Sequence, residues 1–245
     1  VYKSKATTLY LPEGTASTLT DGTDYTFSDS YSSAEEEEPN ACLYSKSDLV
    51  IAGSGSLTVN ANYNNGITGK DTLFIQKASV TVTAVNHGIN GKDSLTIKDA
   101  DITVTSGGDA LRSTYDSDPT LGYLVITGSA LKLTAGEDGI QAETTLTISG
   151  GTATVTTAGG AGQSISDDTS AKGLKAGTQV TVTGGTTPSQ PGGSTGGSSS
   201  GGGGGSSSDR DSSDSNPVIK TETKNNADGS TTKTETRKDG TVTQT

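Results

Sequence analysis

Two stretches decide the fold, Gly66-Ile67-Thr68-Gly69-Lys70-Asp71-Thr72-Leu73-Phe74-Ile75 and, 22 residues later, Gly88-Ile89-Asn90-Gly91-Lys92-Asp93-Ser94-Leu95-Thr96-Ile97. Each is followed by alternating β-branched residues, at 80–83 and at 102–105. Alternation with a period of two predicts strands that bury one face. A fixed period that holds three short strands is typical of a solenoid, so the sequence predicts an all-β parallel β-helix.

The same frame extends in both directions when loops are allowed between strands. An earlier coil covers 43–61, and later coils open at Leu111, Ile140 and Leu174, which gives about six coils. Aliphatic residues then stack in three inward columns, with like neighbours roughly 4.8 Å above and below. The columns are Leu43, Ile67, Ile89, Leu111, Ile140 and Leu174; Leu49, Leu73, Leu95, Leu124, Leu146 and Val180; and Ile51, Ile75, Ile97, Ile126, Ile148 and Val182. Such coils support one another around a thin, continuous core.

Two insertions interrupt the period, at 113–122 and at 158–172, and we expect both to leave the solenoid as loops. Residues 1–42 carry weaker strand patterns, at 8–11 and 25–27, which predict partial coils before the solenoid proper at 43–186. The acidic run at 35–38 is interpreted as a solvated loop.

The C-terminal part of the chain has a different composition. Residues 187–217 are rich in Gly and Ser, which predicts a flexible, disordered linker. Residues 218–245 hold two polar units, 220–224 and 233–238, each followed by an Asp-Gly pair. These units carry almost no apolar face, so a weak hairpin and a disordered tail both fit the sequence.

Composition limits the class of protein and of partner. Only 28% of the 245 residues are hydrophobic and 34 are glycine, which suits a narrow repetitive core. The net charge of −11 argues against nucleic-acid binding, because phosphate contacts need a basic face. No run approaches the roughly 18 apolar residues of a membrane helix, so we expect no membrane insertion, and we expect a monomer. The single cysteine, Cys42, excludes an internal disulfide framework.

Lysines stack on one side of the predicted coils. Lys46, Lys70 and Lys92 occupy one column, with Asp71 and Asp93 beside the last two. A ladder of cations at strand spacing matches the carboxylates of an acidic polysaccharide. The alternative is a surface ladder that the neighbouring aspartates neutralise, and surface pairs of that kind contribute little stability.

A second concentration of charge is acidic and surrounds the first insertion. Asp109 and Asp138 occupy the same turn, one coil apart. Several carboxylates at one turn repel one another unless a cation is present, and Ca²⁺ takes about six to eight oxygen ligands. The sequence therefore predicts a calcium site. Its candidate ligands are Asp109, Asp116, Asp118, Glu137, Asp138 and Glu143.

Other side chains suit a sugar ligand or its cleavage. Tyr115, on the first insertion, is the candidate for stacking on a sugar ring. Arg112 or Lys92 would be the base of a calcium-dependent lyase. His87 is the only histidine, so neither a zinc site nor a catalytic triad is supported, and we expect a simple surface role for it.

Several stretches, taken in order, resemble one known family, the carbohydrate-binding β-helix proteins of clostridial bacteria. They are Leu43-Tyr44-Ser45-Lys46-Ser47-Asp48-Leu49, Gly53-Ser54-Gly55-Ser56-Leu57-Thr58-Val59, the two Gly-Lys-Asp repeats, Asp138-Gly139-Ile140-Gln141-Ala142-Glu143-Thr144 and Lys172-Gly173-Leu174-Lys175-Ala176-Gly177. The resemblance implies a right-handed parallel β-helix similar to pectate lyases, calcium bound at acidic turns, and affinity for polygalacturonate-like chains without established catalysis. Where the family often places an acid before Gly-Ile, this chain has Asn65 and His87.

Three functions are compatible with these patterns. The first is non-catalytic, calcium-dependent binding of a polysaccharide, either acidic and polygalacturonate-like or cellulose, on an extracellular or cell-surface bacterial protein. Its ligand-binding residues would be Lys46, Lys70, Lys92, Arg112 and Tyr115, with bound calcium inverting the local negative charge. The second is a calcium-dependent, pectate-lyase-like polysaccharide lyase. The third is a passive adhesin or spacer that only displays a distant domain.

Overall fold

The structure is a computed structural model that describes residues 4–27, 38–160 and 171–184, together with strands at 218–225, 231–237 and 242–244. The predicted linker at 187–217 lies outside these residues, as does the middle of the second insertion, at 161–170. The regular structure of the described residues is β-strand throughout. Within them, no helix is long and apolar enough to cross a membrane.

The described part of the solenoid begins with two strands, β1 (Ala6–Tyr10) and β2 (Ala16–Thr20), and continues through six coils. The first five coils have three strands each, and the sixth has two. The strands are β3 (Ala41–Ser45), β4 (Asp48–Ala52), β5 (Ser56–Ala61), β6 (Asn65–Gly69), β7 (Thr72–Gln76), β8 (Ser79–Ala84), β9 (Ile89–Gly91), β10 (Ser94–Lys98), β11 (Asp101–Ser106), β12 (Leu111–Ser113), β13 (Tyr123–Thr127), β14 (Ala130–Ala135), β15 (Ile140–Ala142), β16 (Thr145–Ser149), β17 (Thr152–Thr157), β18 (Leu174–Ala176) and β19 (Gln179–Thr183).

Corresponding strands of successive coils pair in parallel and form three sheets. The first sheet has the order β1-β4-β7-β10-β13-β16-β19, the second β2-β5-β8-β11-β14-β17, and the third β3-β6-β9-β12-β15-β18. The three sheets enclose one narrow core. This arrangement confirms the right-handed parallel β-helix of about six coils that the sequence predicts.

The core consists of stacked aliphatic side chains in the predicted register. Leu73 pairs with Leu95 and Ile75 with Ile97, and the other members of the three predicted columns pair in the same way. The second sheet adds inward columns, one of which is Leu57, Val80, Ile102 and Leu131. In the central coils these side chains are fully buried, whereas at the last coil Val180 and Val182 are 37% and 44% exposed.

Close approach between coils explains the glycine of each Gly-Ile pair. A Cβ at Gly88 would lie 2.6 Å from the carbonyl oxygen of Ala110 and would also clash with Val104. Gly66 and Gly139 face the same obstacles in their own coils. The backbone N–H of Gly88 donates to the carbonyl of Asp109 at 2.9 Å, which holds the turn against the next coil. The repeated glycine is therefore required by packing.

Two segments outside the six coils have their own structure. The pattern at 25–27 is not a strand, contrary to the sequence prediction. Tyr25 instead stacks on Tyr63 with ring centroids 4.2 Å apart and donates a hydrogen bond to Asp21 at 2.7 Å.

In the tail, β20 (Val218–Asn225), β21 (Thr231–Arg237) and β22 (Val242–Gln244) form a separate antiparallel sheet. Of the two alternatives for the tail, the structure contains paired strands.

Candidate functional site

One column of outward side chains runs along the third sheet. Strand side chains alternate between faces, so the residue after each inward Leu or Ile points away from the core. Thr68 pairs with Asn90, and Asn90 with Arg112, on three successive coils. The column continues to Gln141 and Lys175. The sheet thus presents one polar side chain per coil, at strand spacing.

A groove of about 170 Å³ lies over the middle of this column, and we call it the third-sheet groove. None of the described residues that line it is acidic, and three of them, Lys70, Lys92 and Arg112, are cationic. The lining residues are Asn40, Asn65, Thr68, Lys70, Asn90, Lys92, Arg112 and Thr114. The groove is therefore locally cationic, although the whole chain has a net charge of −11.

Three buried polar atoms of the groove have no hydrogen-bond partner among the described residues. They are Oγ1 of Thr68, Oδ1 of Asn90 and Nε of Arg112. Thr68 is 3% exposed and Asn90 is 7% exposed. A buried polar group without a partner costs about 1–3 kcal/mol, so such groups are normally paired with protein, water or ligand. The groove is therefore prepared to bind a polar molecule.

The first two members of the lysine column share one carboxylate. Nζ of Lys70 donates to Oε1 of Glu38, and Nζ of Lys46 lies 3.4 Å from Oε2. Burial alone would raise the pKa of Glu38, but hydrogen bonds from Lys70 and Tyr44 and the charge of Lys46 hold it below its ordinary value. Glu38 is 3% exposed, so the interpretation of 35–38 as a solvated loop is wrong at this residue.

The third lysine is held differently. Nζ of Lys92 lies over the ring of Tyr115, 5.2 Å from its centroid, and within the described part of the chain it forms no salt bridge. The backbone N–H groups of Thr114 and Tyr115 donate to the carbonyl of Lys92 at 3.1 and 2.9 Å. These bonds anchor the first insertion at one end of the groove. Lys92 and Tyr115, both predicted as ligand-binding residues, are thereby brought together.

Arg112 is fixed by His87 and Asp109. Nη1 of Arg112 lies 2.7 Å from Nε2 of His87 and 3.6 Å from Oδ2 of Asp109. The His87 side chain is only 12% exposed, and burial, with the nearby guanidinium, lowers its pKa to about 3. A simple surface role for His87 is therefore wrong, because the ring is a largely buried, neutral neighbour of Arg112.

The two acidic residues at the shared turn are neighbours, and both are already engaged. The backbone N–H of Asp138 donates to Oδ1 of Asp109 at 3.0 Å. Asp138 in turn accepts from the N–H of Lys172 at 2.8 Å and from Nζ of Lys175 at 2.9 Å. Burial raises the pKa of Asp109, while the hydrogen bond from Asp138 and the charge of Arg112 oppose that rise.

Three other acidic candidates, Asp116, Asp118 and Glu143, lie on the first insertion or at its base. Oδ1 of Asp118 accepts from both the N–H and the hydroxyl of Thr120, at 2.8 and 2.7 Å. Asp116 accepts from the hydroxyl of Ser117 at 2.9 Å. Glu143 lies at the base of the insertion, where its N–H donates to the carbonyl of Ser113 at 3.0 Å. These contacts are local turns of the insertion and its base.

The structure does not bring the six predicted calcium ligands into one cluster. Among the described residues, one group has converging ligand atoms, His87, Asp109 and Glu137, within 4.8 Å of one another. Arg112 lies beside this group and would repel a cation. Both oxygens of Asp138 bind N–H groups or a lysine. This donor set does not fit the six to eight oxygen ligands, approximately, that calcium takes.

Sequence reasoning missed the centre of the groove. Thr68 and Asn90 occupy the same position in the two copies of the repeat, directly after the inward isoleucine. A polar residue at that position, flanked by lysine two residues later in both copies, is the signal that would have found them. The partner of the lysines, Glu38, gave no such signal because it lies 32 residues from Lys70 in sequence.

The fold and the groove define a parallel β-helix protein with a polar, cation-lined surface site. The chain belongs to the family of carbohydrate-binding domain-containing proteins, whose model matches residues 1–195. This confirms the family resemblance found in the sequence.

Two relatives are similar to the chain over part of its length. A carbohydrate-binding domain-containing protein of Acetivibrio thermocellus is 45% identical over 138 residues, 56% of this chain and 47% of that protein. A solved structure of a polysaccharide lyase-like protein from C. thermocellum, a gadolinium derivative, is 33% identical with a TM-score of 0.63. That match covers 73% of this chain and 66% of the other. The chain thus spans about half to two thirds of these relatives.

Proposed function

We propose that this chain binds a polysaccharide without cleaving it, and that the polysaccharide lies along the third-sheet groove. The observation that carries this proposal is the set of unpartnered buried atoms on Thr68, Asn90 and Arg112, on three successive coils. A polymer of hydroxylated sugar rings offers donors and acceptors repeatedly along such a column. The family name and the lyase-like name of the solved relative agree with a carbohydrate ligand.

The charges of the groove favour an acidic, polygalacturonate-like chain, with cellulose as the second choice. Lys70 is partly neutralised by Glu38, and Arg112 by Asp109. Lys92 forms no salt bridge among the described residues, and the ring of Tyr115 lies beside it. A cation next to an aromatic ring suits a sugar that carries a carboxylate. We place this activity on an extracellular or cell-surface bacterial protein.

Calcium dependence remains a prediction from the sequence and the family resemblance. The carboxylates of Asp109 and Asp138 bind N–H groups and cationic side chains, so the proposed binding in the groove needs no metal. A chelator separates the two possibilities. Retention that survives the chelator would remove calcium from the mechanism.

The test is a pull-down of the protein on polygalacturonate and on cellulose, with and without chelator. We expect retention on polygalacturonate, and we expect Lys92→Gln to weaken it roughly tenfold by removing a charged hydrogen bond. The matched control is Lys132→Gln, because Lys132 is an exposed lysine of the second sheet. Failure of the unaltered protein on both polymers would contradict the proposal and favour a passive adhesin or spacer.

A second candidate is a polysaccharide lyase, and one observation favours it. Arg112 reaches the groove, and burial lowers the pKa of its guanidinium, opposed by Asp109. A basic side chain that reaches a bound uronate is in the position that proton abstraction requires. Incubation with polygalacturonate distinguishes the two functions, since a lyase produces an unsaturated uronide that absorbs in the ultraviolet. Appearance of that absorbance would contradict pure binding.

A further inference from the structure

We propose that Asn90 is a specificity-determining residue that accepts a hydrogen bond from a sugar hydroxyl in the third-sheet groove. The inference rests on the proposed function and adds which chemical group of the polysaccharide faces the centre of the groove. In this arrangement the cations at the rim of the groove bind the carboxylates of the polymer, and the centre of the groove binds its ring hydroxyls.

Asn90 occupies the middle of the column. It pairs with Thr68 on one side and with Arg112 on the other, so both neighbours in the column are also groove residues. The residue is 7% exposed, and its Oδ1 has no partner among the described residues. An amide oxygen only accepts hydrogen bonds. The ligand atom that faces it must therefore carry a proton.

That requirement discriminates between the polar groups of a sugar. An ionised carboxylate only accepts, so it would leave Oδ1 of Asn90 buried and unpaired. A hydroxyl donates to Oδ1 and still has lone pairs to accept from Nε of Arg112. Oγ1 of Thr68 both donates and accepts, so it suits a second hydroxyl. Neighbouring hydroxyls of one sugar chain would satisfy all three atoms.

The size of the groove agrees with the replacement of bound water by sugar hydroxyls. Its volume of about 170 Å³ is large enough for several water molecules. In the free protein such waters would occupy the groove beside the three polar atoms. A sugar hydroxyl that reproduces their hydrogen bonds displaces them without loss, whereas a group that cannot do so lowers the affinity.

The experiment compares two polymers with two proteins. The polymers are polygalacturonate and the same polymer with its hydroxyls acetylated, matched in length and carboxylate content. The proteins are the unaltered chain and Asn90→Leu, with affinities measured by retardation in gels that contain the polymer. Gln141→Leu is the matched control, because Gln141 lies in the same column outside the groove lining.

We expect acetylation to weaken binding of the unaltered chain roughly tenfold, the effect of leaving one buried acceptor unpaired. Asn90→Leu should bind the plain polymer about tenfold more weakly and should lose the preference between the two polymers. Gln141→Leu should behave as the unaltered chain. Melting temperatures confirm folding, and Asn90→Ala replaces Asn90→Leu if the latter does not fold.

Two outcomes would overturn the inference, and they differ from failure of the proposed function. If Asn90→Leu keeps the full preference for the plain polymer, another residue discriminates. If acetylation has no effect on the unaltered chain, no hydroxyl is read at all. If the unaltered chain binds neither polymer, polygalacturonate binding itself is wrong, and the inference fails with it.

Discussion

Nη1 of Arg112 lies 2.7 Å from Nε2 of His87, while the backbone N–H of Asp109 lies 2.9 Å from Nδ1 of the same ring. Both ring nitrogens therefore face donors, and a neutral imidazole has only one nitrogen that can accept. Protonation would remove that last acceptor and place a second cation beside the guanidinium. The pair thus couples the charge of the ring to the position of Arg112 at the groove.

This coupling predicts a loss of stability between pH 7 and pH 5. Burial, followed by the charge of Arg112, lowers the pKa of His87 from 6.5 to about 3. The unfolded chain then binds a proton that the folded chain excludes, so stability is full above pH 6.5 and falls by about 1.4 kcal/mol per pH unit below it. We expect a loss of about 2 kcal/mol at pH 5, measured by urea unfolding.

The control for this prediction is His87→Gln. Because His87 is the only histidine, no other side chain of that type titrates in this range. The variant should be nearly independent of pH from 7 to 5. Equal slopes of stability against pH for the variant and the unaltered chain would show that His87 is not held neutral in the folded protein.

Glu38 should stabilise the start of the solenoid. Its carboxylate lies between Lys46 and Lys70, and its lowered pKa means that this contribution is present above its ordinary value of 4.5 and is lost as the pH falls below it. Because the lysines are about one third exposed, we expect Glu38→Gln to lower the free energy of unfolding by about 1–2 kcal/mol at pH 7. Glu13→Gln, at an exposed position, is the control. Equal unfolding free energies of the two variants would argue against the buried pair.

The glycine of each Gly-Ile pair provides a test of coil packing. Gly88→Ala should lower the free energy of unfolding by about 1–3 kcal/mol, because its Cβ would meet Ala110 and Val104. Gly173→Ala should change it by less than about 0.5 kcal/mol, since nothing lies within 4 Å of the added atom. Thermal or denaturant unfolding measures both. A tolerated Gly88→Ala would mean that the coils are farther apart than described here.

The fold could be predicted because every coil has the same packing requirement. Each coil must place aliphatic side chains at the same inward positions, so Ile67 and Ile89 appear at a spacing of 22 residues and identify the architecture. The insertion at 113–122 changes the spacing to Ile140 without changing the register, since Leu111 still pairs with Ile140. The sequence pattern and the packing of the core therefore identify the same inward positions.

The site was only partly predictable, because its contacts join residues that are distant in sequence. The column of Lys70 and Lys92 follows from the repeat, but the pairing of Lys70 with Glu38 does not. Asp109 does lie next to Asp138, as the sequence predicts, but Lys172 and Lys175, which bind Asp138, lie more than 30 residues away in sequence and gave no such signal. Whether a polar atom lacks a partner can be read only from the folded chain.

The most direct test of the account is to fill the groove. Thr114 lines one end of it, outside the strands, so Thr114→Trp should block the groove without disturbing the core. Thr103→Trp places the same side chain on the exposed face of β11. If polysaccharide binds in the third-sheet groove, retardation in gels containing polygalacturonate should be abolished by Thr114→Trp and retained by Thr103→Trp, with equal melting temperatures. Equal retardation of the two variants would contradict the central claim.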